Sequence, residues 1–216
     1  MKRIMSTILG LAVAVVLLTG GRAVASLVTI DFGTGDGGTG GTVTSLGGGN
    51  YSGSGIPLNV LNVAGAPSGN GSYDLQGSFN CGTCIGGTAA VLAFNTLTST
   101  ITITGSIVGI PSLNTTLLTG SFTSFTFGSV GGLFSFSGTG PDSKNADLLA
   151  FLGLPGNLPF NFLGFTIGGN WNGTTGNPAS TDVLNTANTV PEPGSLLLLG
   201  SGLIGLAFAG RRWRRR

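Results

Sequence analysis

The stretch Ile101–Ile110, ITITGSIVGI, decides the fold class, because apolar residues alternate in it with small or polar ones. Alternation with a period of two is typical of a β-strand that has one face against a core. Similar stretches occur nearby, separated by clusters of Gly, Asn, Pro or Ser: Tyr73–Phe79, Ala89–Phe94, Leu117–Phe127 and Leu133–Ser137. Several short strands joined by turn-rich loops predict a mainly β domain, an antiparallel β-sandwich or a jelly-roll-like fold.

The regions on either side extend this pattern. Leu27–Phe32 is predicted to be the first strand, and Phe160–Phe165 and Ile167–Trp171 a last pair. Residues 33–72 contain mostly Gly, Thr, Ser and Asn, so we expect a loop with weak strands at Thr42–Leu46 and Leu58–Val63. The alternation changes phase after Ile107 and again at Phe122, and each change predicts a β-bulge.

One short helix is expected between the strands. Asp142 or Ser143 can cap its N-terminus, and Gly153 followed by Pro155 provides a stop signal. Its apolar stripe consists of Leu148, Leu149 and Leu152. This pattern predicts about two turns of helix that pack on the sheet.

Residues 1–25 have the features of a secretory signal peptide. Lys2 and Arg3 give a positive start, and residues 8–18 form an apolar run too short to span a bilayer. The expected cleavage site consists of Ala23, Ala25 and Ser26. We therefore expect export through the general secretory machinery.

Residues 190–216 contain Pro-Glu-Pro, an apolar run and a basic cluster, in that order. Residues 195–210 are just long enough to span a membrane as a helix. The arginines should stop translocation and remain cytoplasmic: Arg211, Arg212, Arg214, Arg215 and Arg216. The predicted organisation is thus a signal peptide, an exported β domain over residues 26–171, a polar linker over 172–189 and a membrane segment.

This C-terminal arrangement resembles the PEP-CTERM sorting signal of exported proteins in Gram-negative bacteria. The resemblance covers about an eighth of the chain, and all three of its elements are present in order. It implies recognition of Pro191, Glu192 and Pro193 by an exosortase, a membrane-embedded enzyme that cuts near this tripeptide. It also implies an inner-membrane-anchored precursor that later reaches the cell envelope or the exterior, in a family often associated with exopolysaccharide.

Charge excludes nucleic acid as a partner of the exported domain. Between the two terminal segments the chain keeps one basic residue, Lys144, against six aspartates, so its net charge is −5. Binding to phosphate backbones needs clustered Lys and Arg on the folded domain.

The residue inventory argues against catalysis. The chain has no histidine, which removes the common nucleophile triads and histidine-based zinc sites. Lys144 follows Ser143 directly, so no S-x-x-K frame exists for a Ser-Lys hydrolase. A glycoside hydrolase could use two facing aspartates, but no spacing singles out a pair. We expect no catalytic residues and no cofactor.

Three smaller motifs leave alternatives open. Cys81 and Cys84 form a C-x-x-C motif that predicts a local disulfide in an oxidising compartment, with redox or metal binding as alternatives. Asp31 and Asp36 lie in a glycine-rich turn, where turn formation is favoured over a structural calcium ion. Trp171 lies among Asn and Gly, so it either closes the edge of the core or contacts sugar.

The expected function is that of a non-catalytic exported envelope or extracellular-matrix protein, processed at its C-terminal signal. The alternative is a carbohydrate-binding or adhesive module associated with exopolysaccharide, in which Trp171 contacts the sugar.

Overall fold

A computed structural model describes residues 27–35, 39–76, 89–110, 115–188 and 200–202. Within these ranges the chain is mainly β, with antiparallel pairing, which confirms the predicted class. The strands are β1 Leu27–Gly33, β2 Thr42–Gly47, β3 Asn50–Leu58, β4 Val60–Ala64, β5 Gly71–Gln76, β6 Ala90–Asn95, β7 Thr100–Ile107, β8 Thr115–Ser121, β9 Ser124–Val130, β10 Leu133–Lys144, β11 Phe160–Trp171 and β12 Thr175–Asn188. The helix between β10 and β11 is α1, Ala146–Phe151.

The strand pairings form closed paths that meet at β12 and β7. β12 pairs with β11 along one edge, and β2 and β1 share its other edge. β7 pairs with β8 along one edge, and β6 and β5 share its other edge. Three connections therefore run from β12 to β7: through β2, β3 and β6, through β1, β4 and β5, and through β11, β10 and β8.

Aromatic side chains fill the core between strands that are not hydrogen-bonded neighbours. The Phe94 ring on β6 lies 4.7 Å from that of Phe136 on β10 and 5.4 Å from that of Phe165 on β11, measured between centroids. Gly53 on β3 leaves room for Phe94, because a Cβ at Gly53 would lie 2.5 Å from Phe94 Cδ1. The rings of β6 therefore meet those of β10 and β11 across the core.

The predicted helix is confirmed, but its cap is different. Asn145 caps α1, and its side-chain oxygen accepts hydrogen bonds from the backbone N–H groups of Asp147 and Leu148. The expected caps, Asp142 and Ser143, are wrong because both belong to β10. The expected stop signal is correct, since Gly153 follows the helix with φ 69°.

Four predictions for the strands are wrong in detail. Residues 50–58 form β3 although they were expected to be mainly loop, and the expected strand Leu58–Val63 divides at Asn59. The segment 117–127 is two strands, so the change of phase at Phe122 marks a strand boundary and no bulge. The phase change after Ile107 marks the end of β7.

The predicted polar linker over residues 172–189 is wrong over most of its length. Residues 175–188 form β12, which pairs with β11, β1 and β2. Besides the apolar Val183 and Ala187, its buried positions include Thr181 and Asn185. The Thr181 backbone N–H donates to the Thr34 hydroxyl, and the Asn185 amide donates to the Ile30 carbonyl, which makes burial of these polar residues less costly. The β domain therefore continues beyond its predicted end at Trp171.

The chain divides into two compact units, of which one is Ser26–Thr189 and the other comprises both ends. Among the described residues, no helix has the length and apolar character needed to span a bilayer. The predicted segments 1–25 and 195–210 lie almost wholly outside the described residues and stay predictions.

Candidate functional site

Most of the site residues named from the sequence lie outside the described part of the chain. They are the cleavage site Ala23, Ala25 and Ser26, the cysteines Cys81 and Cys84, the tripeptide Pro191, Glu192 and Pro193, the five arginines of residues 211–216, and Asp36. Their predicted roles stay predictions. Trp171 and Asp31 lie within the described residues, and the structure places both.

Trp171 is a half-buried residue at the end of β11, within an aromatic cluster. Its ring centroid lies 4.9 Å from that of Phe127, 5.7 Å from that of Phe134 and 6.3 Å from that of Tyr51. Tyr51 and Phe127 stack on each other at 4.0 Å. Of the two alternatives for Trp171, this position fits the closing of the core edge, and the residue as a whole is only partly buried.

The two asparagines beside Trp171 differ in their freedom to bind a ligand. The Asn172 amide donates to the Thr175 hydroxyl at 2.8 Å, and its oxygen accepts from the backbone N–H groups of Thr174 and Thr175. Asn172 is therefore occupied in forming the turn between β11 and β12. Asn170 is exposed and less constrained, but as the adjacent residue of β11 it faces the opposite side of the sheet from Trp171.

A buried ion pair joins Asp142 and Lys144 on β10. Lys144 Nζ donates to Asp142 Oδ1 at 2.5 Å, and both side chains are fully buried. The same ammonium lies 4.6 Å from the centroid of the Phe160 ring. Burial lowers the pKa of Lys144 to about 8, against the opposing effect of Asp142. Burial also raises the pKa of Asp142, against the opposing effect of Lys144.

The arrangement does not bring Lys144 to a serine nucleophile. Ser143 is exposed, whereas Asp142 and Lys144 are buried, because neighbouring residues of a strand face opposite sides. A cavity of about 400 Å³ adjoins the pair and is lined on its other side by residues 156–161. Asp142 Oδ2 has no hydrogen-bond partner in the described structure. The pair satisfies its own charges and is well suited to a structural role.

A second pair joins the carboxyl groups of Asp31 on β1 and Asp182 on β12. The pKa of Asp31 is raised to about 7, first by burial and then by a hydrogen bond with Asp182 and by the charge of Asp182. A hydrogen bond with Asn62 opposes the rise. Two carboxyl groups in direct contact are closer than the roughly 5–9.5 Å that glycoside hydrolysis uses. The raised pKa of Asp31 and its hydrogen bond with Asp182 therefore favour a shared proton over that reaction.

Sequence reasoning missed both pairs. The Asp142–Lys144 pair had a local signal, because residues two apart in a strand share a face. The Asp31–Asp182 pair joins the first and last strands, and no local pattern predicts it. Among the described residues, no three Cys, Asp or Glu side chains are grouped so that they could hold a metal ion. Asp36 lies outside these residues, so the calcium alternative stays untested.

No curated protein and no solved structure matches the chain. Residues 189–216 match the family model of the PEP-CTERM protein-sorting motif. The matched segment contains Pro191, Glu192 and Pro193 and the terminal arginines. The chain therefore carries a PEP-CTERM protein-sorting motif, which suggests an exported protein that an exosortase processes at the membrane.

Proposed function

We propose that the protein is a non-catalytic component of the cell envelope or extracellular matrix, anchored by its C-terminal signal and then processed there. The match of residues 189–216 to the sorting motif is the observation that carries this proposal. The segment 195–210 would hold the precursor in the inner membrane, with the arginines on the cytoplasmic side.

The chemistry of the β domain supports a non-catalytic role. The sequence has no histidine, and its exported part has one lysine. That lysine is held by Asp142 inside the core, and Ser143 faces away from it. Asp31 and Asp182 hold each other. These four charged residues are each engaged with another charged group of the chain.

We also propose a two-layer, sandwich-like architecture for the β domain. Phe94 of β6 meets Phe136 of β10 without any pairing of their strands, and Tyr51 of β3 stacks on Phe127 of β9 in the same way. Contacts of this kind are typical of side chains from two facing layers. Such a fold offers wide polar surfaces, which suit an exposed matrix component.

Processing can be tested by the mass of the protein in cells with and without the exosortase. We expect loss of the C-terminal segment only where the enzyme is present. Glu192→Ala should keep the full mass in both cell types, whereas Thr186→Ser, upstream in β12, should be processed normally. An unchanged full mass of the native chain in the presence of the enzyme would refute processing.

A carbohydrate-binding or adhesive module is the second candidate function. The observation in its favour is the half-buried Trp171 at the end of the aromatic cluster that it forms with Tyr51 and Phe127. A flat aromatic ring at the edge of a core is suited to stacking on a sugar. The ligand would be a neutral or weakly charged exopolysaccharide, because the β domain has a net charge of −5.

The sugar hypothesis is tested by binding to extracted exopolysaccharide. Trp171→Leu removes the flat ring but keeps an apolar side chain at the edge of the core, and we expect it to weaken binding at least several-fold. Asn161→Ala is the matched control, because Asn161 is exposed at the other end of β11. Equal binding by the native chain and both variants would exclude this site, and equal loss in both variants would indicate an unspecific effect.

A further inference from the structure

Strand β9 lies at an edge of the sheet, unlike every other strand that the structure describes. Each of the others pairs along both of its edges, because the paths between β12 and β7 are closed. Among the described strands, β9 pairs only with β10. Alternate residues of such a strand direct their backbone N–H and C=O groups away from the sheet, where another strand can bind them.

This open edge is long and regular. The pairing of β9 with β10 runs from Ser124↔Thr139 to Val130↔Leu133 without a register shift. The connecting turn consists of Gly131 and Gly132, both with positive φ, at 60° and 78°. A turn of this kind matches the twist of the two strands and keeps the hairpin regular. The edge therefore presents seven residues in uninterrupted extended conformation.

Within the described part of the chain, the residues of this edge also lack the features by which a strand itself blocks the addition of another. Such features are charged side chains, proline, bulges and very short strands. The sequence of β9, SFTFGSV, has no charge and no proline. Val130 at its end is 82% exposed, and Leu133 across the turn is 57% exposed. An unprotected edge with an apolar end is what a strand-pairing surface requires.

The two faces of β9 are suited to a partner with the same sequence. On the outer face, hydroxyl groups form a ladder, with Ser124 bonded to Thr139 at 2.9 Å and Thr126 to Ser137 at 2.7 Å. On the inner face, Phe125 and Phe127 are only partly buried. A second β9 placed antiparallel beside the first would continue both the hydroxyl rows and the phenylalanine rows.

Electrostatics permits this pairing although the domain is acidic. Thr126 on β9, Ser137 on β10 and Thr166 on β11 lie opposite one another in successive strands. The next residue in this cross-strand row is Asp182 on β12, three strands from β9. Across two paired copies the two Asp182 residues would be separated by seven strand spacings, roughly 34 Å. This exceeds the Debye length of about 8 Å at physiological salt, so their repulsion is screened.

We propose that two copies of this protein associate edge to edge through β9, in an antiparallel pairing that joins their sheets about a two-fold axis. This inference goes beyond the sorting of the chain and does not rest on it. It gives the exported domain a means of homotypic assembly.

The test uses the full chain and single cysteine substitutions on the outer face of β9: Ser124→Cys, Thr126→Cys and Gly128→Cys. Near a two-fold axis a residue lies opposite its own copy, at a Cβ separation of about 5 Å, which allows a covalent dimer under oxidation. We expect a doubled mass for at least one of the three. The matched controls are Ser135→Cys, Ser137→Cys and Thr139→Cys on β10, which should give no dimer above the native background.

A second variant tests the association without cross-linking. Thr126→Lys places a charge on the exposed edge of β9 and brings like charges together across the axis. Differently tagged native copies should co-purify, and copies that both carry the substitution should not. Ser135→Lys, exposed on β10, should leave co-purification unchanged.

Three results would overturn the proposal. One is the absence of co-purification between native copies. Another is equal cross-linking at the β9 and β10 positions. The third is a β9-specific adduct whose mass shows a different protein, which would assign the edge to another partner.

Discussion

Lys144 Nζ lies 2.5 Å from Asp142 Oδ1 on the same strand, and neither side chain reaches solvent. Burying a single charge costs much more than burying a bonded pair, so the two residues depend on each other. Lys144→Met should lower the free energy of unfolding by about 3–5 kcal/mol, because Asp142 would stay buried without its partner.

The double variant Asp142→Leu with Lys144→Met is the informative comparison. It replaces both charges by apolar groups, so we expect stability within about 1 kcal/mol of the native chain or above it. Urea denaturation of the native chain, the single variant and the double variant measures the difference. A double variant as unstable as Lys144→Met would show that the charges do not act as a pair.

The Asp31–Asp182 contact predicts a stability that depends on pH. The pKa of Asp31 is about 7 in the folded chain, against an ordinary value of 3.8. Between these values the folded chain holds a proton that the unfolded chain has released. The free energy of unfolding should therefore fall as the pH rises from about 4 to 7, and stay low above 7.

Asp182→Asn should reduce this fall, because it removes the neighbouring charge while burial of Asp31 remains. Above pH 7 we expect the variant to be more stable than the native chain by about 1 kcal/mol, a modest value because Asp31 is only half buried. Thermal unfolding between pH 4 and 8 measures the effect, with Asp74→Asn as a control for the loss of one exposed charge. Parallel pH profiles for the native chain and Asp182→Asn would contradict the assignment.

The strands that the sequence predicted are those whose buried positions are apolar. In β7 the buried residues include Ile101, Ile103 and Ile107, and in β10 they include Phe134 and Phe136, so alternation was visible in both. The phenylalanines of β11 gave the same signal, although the strand is continuous where two short ones were expected.

The strands that were missed bury some apolar residues, such as Ile56 and Val183, but other buried positions in them carry residues of a different kind. β3 buries Gly53, which makes space for Phe94, and this requirement depends on a side chain that lies 41 positions further along the sequence. β12 buries Thr181 and Asn185, whose partners Thr34 and Ile30 belong to the beginning of the chain. The local hydrophobic pattern cannot reveal such positions, because residues far away in the sequence determine whether they can be buried. The carboxyl pair of Asp31 and Asp182 was missed for the same reason.

Gly53→Ala tests the packing of β3 on Phe94. A methyl group at this position would collide with the Phe94 ring, which in turn packs on Phe136 and Phe165. We expect a loss of about 1–3 kcal/mol in the free energy of unfolding, as for other overpacked cores. Gly128→Ala is the matched control, since a Cβ there meets no atom within 4 Å. Equal stability of the two variants would mean that the ring can move aside at little cost.

Substitution of Asn185 tests whether a buried polar contact helps to hold β12 in the folded domain. Its side-chain amide is fully buried and donates to the carbonyl oxygen of Ile30 at 2.9 Å, which ties the last strand to the first. Asn185→Ala removes this donor from a buried acceptor, so we expect a loss of about 1–3 kcal/mol in the free energy of unfolding. Asn177→Ala on the exposed side of the same strand should change it by less than about 0.5 kcal/mol.

Hydrogen exchange shows where the two variants differ. Asn185→Ala removes the side-chain bond between β12 and β1 but leaves the pairing of β12 with β11 intact. We therefore expect the backbone amides of β1 to exchange faster in Asn185→Ala than in Asn177→Ala. If β1 exchanges equally slowly in both variants, the amide of Asn185 does not secure the first strand, and the backbone ladder alone holds it.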